Sequence, residues 1–162
     1  MMRKYLLAGV LIASSIGSLR AQEATGPVAE KVKQEVMQLK LEQDKAFDST
    51  SSGHNIAPEW ARRYEADGLV HYTNRLRDKA ELLDELTTGK RTIISSKHYD
   101  HKFHVYGDGG DGTTVIVTYS VDVTLEVDGK RTHHQSFAVD TFIHQKGQWW
   151  CAVHSAHTLS GS

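Results

Sequence analysis

The chain has 162 residues, 39% of them hydrophobic and 24% charged, with 19 Lys+Arg against 20 Asp+Glu, which excludes a disordered or fibrous protein and leaves room for one domain. A net charge of −1 gives no basic field to hold a phosphate backbone, so a dedicated nucleic-acid partner is excluded. Cys151 is the single cysteine, so no internal disulfide can form.

Arg3 and Lys4 precede an apolar run over 5–16 and small residues up to Leu19-Arg20-Ala21. That is the pattern of a secretory signal peptide cleaved near Ala21, and the run is shorter than the ~20 residues a bilayer-spanning helix needs. The sequence therefore predicts an exported protein, periplasmic or secreted, with no membrane anchor after cleavage. The predicted organisation is a signal peptide over 1–21, a polar leader over 22–27, one domain over 28–158 and a tail over 159–162.

From Val28, the positions Val32, Val36, Leu39, Gln43, Ala46 and Phe47 recur at helical spacing, predicting an amphipathic helix with Gln43 as its polar intruder. The polar tract 48–55 breaks it. Pro58 suits the first turn of a short second helix through Trp60 and Tyr64, and 69–73 reads as a strand. Asp78 and Glu81 form a capping box that opens a third helix with Ala80, Leu82, Leu83 and Leu86, closed at Gly89.

Four long β-prone runs follow, over 92–106, 113–127, 131–145 and 148–157, separated by 107–112, Asp128-Gly129 and Lys146-Gly147. At ~3.3 Å per residue they are too long to lie flat in a small domain and must twist and curl. The predicted class is α+β, a curved antiparallel sheet closing into a cone, an α+β barrel, capped by about three N-terminal helices. The open end of such a cone can hold a small molecule.

Polar residues that share the apolar parity of their strand must find a partner or a ligand. On the first strand these are His71 and Thr73. On the second, the parity of Tyr99, Phe103 and Val105 brings His101 inward and leaves His98, Asp100, Lys102 and His104 outside. The third contributes Tyr119, and on the fourth the parity of Phe137, Val139 and Ile143 brings Gln135 and Thr141 inward. The Asp128-Gly129 hairpin bears on the last assignment. A two-residue loop pairs Val127 with Lys130 and sets Asp140 beside Val117 on the apolar face. A three-residue loop with a bulge pairs Val127 with Arg131, keeps the apolar faces together, and is the preferred register. The last strand is apolar on both parities, which leaves His154 and His157 unplaced. The predicted pocket lining is Gln43, His71, Thr73, His101, Tyr119, Gln135, Val139, Thr141 and His154, with no inward carboxylate, and the acid/base candidates are His71, His101 and Tyr119.

Ten histidines invite a metal reading, but His98, His101 and His104 lie three apart on a strand and diverge, and no metal-ligand motif is present. No metal and no cofactor is expected: there is no dinucleotide or P-loop fingerprint, no G-x-S-x-G, and no Ser-His-Asp set that spacing alone nominates. The glycine-rich 107–112 lacks the calcium-loop ligand pattern and reads as a hairpin connection. Cys151, in an apolar strand, reads as a small buried hydrophobe.

Four segments carry a family resemblance: Tyr64-Glu65-Ala66-Asp67-Gly68-Leu69-Val70, Asp78-Lys79-Ala80-Glu81-Leu82-Leu83, Val105-Tyr106-Gly107-Asp108 and Gly147-Gln148-Trp149-Trp150-Cys151-Ala152-Val153. In this order they resemble the nuclear-transport-factor-2-like superfamily, within it the SnoaL-like branch of small bacterial proteins, over roughly 28–158. The resemblance implies a cystatin-like cone, often a homodimer through the outer sheet face, with a pocket used for isomerase, dehydratase or cyclase chemistry or for binding alone. Ketosteroid isomerases of that superfamily use an Asp base on the first strand and a protonated Asp on the fourth. The corresponding positions here are Thr73 and Val139, which can do neither task, so that mechanism is disfavoured. Dehydration through His71, His101 and Tyr119 stays compatible. The leading expectation is an exported pocket protein binding a small, partly apolar molecule. The rivals are a lyase or isomerase with a His-centred acid/base pair and an interaction module using the sheet face of Thr118, Ser120, Asp122 and Thr124.

Overall fold

The computed structural model describes residues 22–47, 57–67, 69–72 and 75–161. The predicted signal peptide, the tract 48–56 and Thr73 lie outside the described residues, and His71 is described only as a backbone position.

Helix α1 (Gly26–Phe47) buries Ala29, Val32, Val36, Lys40, Gln43 and Phe47, one stripe at spacings of three and four. Helix α2 (Ala57–Tyr64) carries Pro58 in its first turn and buries Trp60, whose ring meets Phe47 edge-on at 5.8 Å. Strands β1 (Leu69–Tyr72) and β2 (Arg75–Asp78) form a short antiparallel hairpin, of which the sequence had indicated only the first arm. Helix α3 (Lys79–Thr88) starts at the predicted capping box: Asp78 Oδ1 accepts from Glu81 N at 2.8 Å, and Glu81 Oε2 accepts from Asp78 N at 3.2 Å. It ends at Gly89, whose φ of 71° is the left-handed cap that glycine tolerates best.

Strands β3 (Arg91–Tyr106), β4 (Thr114–Val127), β5 (Lys130–Gln145) and β6 (Gln148–Gly161) complete a curved sheet in the order β2-β1-β6-β5-β4-β3. Neighbours are antiparallel except β1 and β6. The concave face carries Val105, Val115, Val117, Tyr119, Phe142 and Cys151, all buried, with α1 laid against β3. This is the α+β cone that the pattern of elements predicts.

Register departs from expectation in two places, and both decide which side chains face the interior. The β4–β5 hairpin has a two-residue loop, with Val127 opposite Lys130 and Val117 opposite Asp140. Asp128 and Gly129 have φ of 50° and 75°, the left-handed pair of a type I′ turn, whose twist matches the flanking strands. Consequently Ser136, Ala138, Asp140 and Phe142 face inward and are buried. Gln135, Val139 and Thr141 are corrected to the outer face. The misleading parity came from Phe137, which is 44% exposed on that outer face.

The second departure is a bulge in β3, where Tyr99 pairs with Ser120 and Lys102 with Thr118, leaving two residues opposite Tyr119. Asp100 takes up the extra residue at a φ of 57°, which Asp tolerates better than most side chains. Side-chain parity reverses there, so His98 before the bulge and His101 after it both face Tyr119. His98 is thereby corrected from outside to inside. A similar shift between Thr141 and Phe142 moves the inward parity of β6 from Cys151 to His154 and Ala156, which explains a strand apolar on both parities.

Candidate functional site

A cavity of about 570 Å³ opens inside the cone. Ile93, Val121, Val123, Leu125 and Ala156 give it apolar walls with Phe47, while Gln43, Glu65, Ser96, His98, Tyr119 and His154 supply polar groups. Arg77, Glu85, Lys90 and Arg91 also line it, Glu85 binding Arg77 at 3.0 Å and Arg91 at 4.0 Å.

The polar end is built around Asp140, which is fully buried. Its Oδ2 accepts from Lys40 Nζ at 2.5 Å and from the Tyr119 hydroxyl at 2.9 Å, and its Oδ1 accepts from His154 Nδ1 at 2.6 Å. Lys40, also fully buried, donates to Gln43 Oε1 and lies 3.8 Å from the centre of the Tyr119 ring. Burial alone would push the Asp140 carboxyl up, but the Lys40 ammonium and His154 more than offset it and hold the group well below the usual carboxylate range. Burial and the Asp140 charge drive the Tyr119 hydroxyl well up. Asp140 is thus an anion and Tyr119 a neutral donor to it.

Glu65, just past α2, is 3% exposed and reaches the same cavity. Burial first, then the neighbouring Asp140 charge, push its carboxyl up to about 8, so at neutral pH it is an uncharged acid able to donate a hydrogen bond. Cys151 packs beside it, 1% exposed as its strand position suggested, with its thiol pushed well up by burial.

On the β3 side, His98 Nδ1 lies against Asp44 Oδ1 of α1, and its Nε2 is 3.1 Å from Ser96 Oγ. Burial lowers its pKa below the usual histidine value despite Asp44. His101 stacks on Tyr119 at 5.4 Å and on Phe103 at 6.1 Å. It lies behind the wall rather than in the lining, and its Nε2 is buried without a hydrogen-bond partner among the described residues.

Of the predicted lining, Gln43, Tyr119 and His154 are brought together, His101 sits behind Tyr119, and Gln135, Val139 and Thr141 face away. Lys40, Asp44, Glu65, Ser96, His98 and Asp140 were not anticipated there, and the expectation of no inward carboxylate is overturned by Asp140 and Glu65. A signal existed for Lys40, which continues the Val32, Val36 stripe at the next i+4 position. Among the described residues no three or more His, Cys, Asp or Glu side chains gather as a metal site. The 107–112 loop spends its carboxylates on the backbone: Asp108 accepts from Gly110 N, and Asp111 from Lys146 N and Gly147 N.

Helices plugging the concave face of a six-stranded curled sheet, with a cavity at the polar end, define the NTF2-like fold. No protein-family model matches the chain, and no curated protein is significantly similar to it. Solved structures are similar in fold. An NTF2-like protein from Cytophaga hutchinsonii is 14% identical over 80% of this chain and 98% of its own, with a TM-score of 0.63. A candidate scytalone dehydratase from Novosphingobium aromaticivorans is 14% identical over 82% and 88%, with a TM-score of 0.59. A protein from Catenulispora acidiphila, solved in complex with S-DNPA, is 14% identical over 80% and 94%, with a TM-score of 0.55.

Proposed function

We propose that this chain binds a small, partly apolar molecule in the cavity of the cone. The observation that carries the reading is the cavity itself: about 570 Å³, apolar along Ile93, Val121, Val123 and Leu125, and polar where Gln43, Glu65 and His154 line it, the composition expected of a small-molecule site. The similar protein from Catenulispora acidiphila holding S-DNPA supports it. Titration with 2-naphthol, followed by its fluorescence, tests the reading. Val123→Trp fills the cavity and should weaken binding at least about tenfold, roughly the 1.4 kcal/mol of that ratio; binding unchanged in that variant overturns the assignment.

A second reading, a lyase or isomerase, is favoured by Glu65. A neutral acid in the cavity wall can protonate a leaving hydroxyl or hold a carbonyl oxygen, a task the sequence had given to His71, His101 and Tyr119. Turnover of a β-hydroxyketone that Glu65→Gln abolishes would support it. The same proposal takes the chain to be exported, on the strength of its basic start and apolar run, and to pair with a second copy through the outer sheet face. There Phe137, Val153 and Leu159 stand 44%, 42% and 66% exposed. N-terminal sequencing of the protein recovered outside the cytoplasm, and its solution mass, test these two parts.

A further inference from the structure

Ser96 and His98 lie two residues apart on β3, hence on one face, and both line the cavity. Helix α1 brings Asp44, more than fifty residues upstream in the sequence, against the far nitrogen of the same imidazole. The Asp44 carboxylate lies at ion-pair distance from Nδ1, although Nδ1 makes no hydrogen bond among the described residues. The carboxylate charge favours the proton on Nδ1, and in that tautomer Nε2 is the lone-pair nitrogen, with Ser96 Oγ 3.1 Å away, within reach of a general base. Ser96 is 8% exposed and lines the cavity. Gln43 precedes Asp44 on α1 and is 6% exposed. Because the Lys40 ammonium can only donate, the amide oxygen of Gln43 must face it. The Gln43 NH₂ is then the end of the amide turned away from Lys40, on a residue that lines the same cavity as Ser96.

We propose that Ser96, His98 and Asp44 form a nucleophilic relay that gives the cavity an acyl-transfer activity toward small uncharged esters or thioesters. The proposal rests on the cavity being the ligand site. Ser96 Oγ attacks the acyl carbon as its proton passes to His98 Nε2, and the Gln43 NH₂ donates to the oxyanion that develops. The bond from the acyl carbon to the leaving alcohol or thiol breaks, and that group departs with the proton from His98. Water then attacks the Ser96 ester, giving its proton to His98. The carboxylic acid leaves as Ser96 recovers the proton, so one ester and one water yield one acid and one alcohol or thiol. Asp44 is a positioning residue that fixes the imidazole tautomer, and the apolar walls at Val121, Val123 and Leu125 suit the acyl chain.

The full-length chain is treated with a fluorophosphonate, which labels only activated serines, and separately with p-nitrophenyl butyrate. The expected results are a single adduct mapped to Ser96 by peptide mass and a p-nitrophenolate burst near one equivalent. Ser96→Ala abolishes both, and His98→Gln slows labelling by about 10²–10⁴-fold, the usual share of a general base. Asp44→Asn should move the pH profile of labelling, with partial recovery in Asp44→Glu. Should Ser96→Ala fail to fold, Ser96→Cys keeps a nucleophile, and its alkylation by iodoacetamide at neutral pH must fall when His98→Gln is added. No adduct, an adduct at another residue, or alkylation indifferent to His98 overturns the relay. Retained 2-naphthol binding in any of those cases leaves the cavity reading standing, so the two failures are distinguishable.

Discussion

Lys40→Met isolates the buried ion pair on which the polar end is built. Lys40 and Asp140 are both fully buried, Nζ and Oδ2 being 2.5 Å apart. Methionine replaces the lysine stem with little loss of volume, so the main loss is the ammonium. Among the described residues Asp140 then keeps Tyr119 and His154 as side-chain donors, and breaking one side of such a pair costs about 3–5 kcal/mol. Against a total stability of about 5–15 kcal/mol this is a large fraction. At about 2–4 °C per kcal/mol, the melting point should fall by roughly 6–20 °C.

The pH response fixes the cause. In the natural chain the Asp140 carboxyl lies below its unfolded value, so its contribution is complete above about pH 4 and is lost as pH falls through the folded pKa. In Lys40→Met burial goes unopposed by Lys40 and the carboxyl rises instead, so lowering the pH from 7 toward 5 should recover part of the loss. The double variant Lys40→Met/Asp140→Asn, in which the Asp140 charge is gone, should be more stable than Lys40→Met alone. Urea unfolding followed by tryptophan fluorescence measures each difference. A cost under about 1 kcal/mol at pH 7, or a double variant no more stable than the single one, would refute the reasoning.

Glu65, with its carboxyl raised to about 8 from an ordinary value near 4.5, holds more protons folded than unfolded between those values. Stability should therefore fall across that window at up to about 1.4 kcal/mol per pH unit, and Glu65→Gln should flatten the slope in pH-dependent urea melts. His98 acts oppositely at lower pH: its folded pKa is depressed by burial, so acidification below about pH 6.5 costs stability, and His98→Gln should remove that loss. Gly129→Val places a β-branched residue at a φ of 75° and should cost about 1–2 kcal/mol by urea unfolding. Asp100→Gly relieves a φ of 57° at the bulge and should gain up to about 1 kcal/mol in the same assay, whereas Asp100→Val should lose stability.

Secondary structure was legible because its signals are local. The stripe on α1, the capping box at Asp78 and Glu81, the cap at Gly89 and the alternation of Val115, Val117, Tyr119 and Val121 each depend on neighbours a few residues away. The inner face of β3 and β5 was not legible, because parity passes through turns and bulges that shift it by one residue. At Asp100 nothing in the local pattern announces the extra residue. At β5 the pattern actively misled: Phe137 and Val139 are apolar yet stand on the outer face, so matching hydrophobic faces selected the wrong register.

One further observation, available in the sequence, would have chosen between the two hairpins. Lys40 sits in phase with Val32 and Val36 on the buried stripe of α1, and an ammonium carried into a core needs an anion on the surface it faces. A three-residue loop at Asp128-Gly129 would have turned Asp140 outward and left no carboxylate on the inner face of β5. The two-residue loop sets Asp140 beside Val117, and there it meets Lys40. A turn of one residue more or less therefore decides whether a helix a hundred positions upstream buries a paired charge or an unpaired one. The Asp-Gly preference for a type I′ turn and the demand of Lys40 for a partner select the same register independently. That agreement outweighs any score from apolar parity, because a misplaced Phe137 costs far less than an uncompensated ammonium in the core.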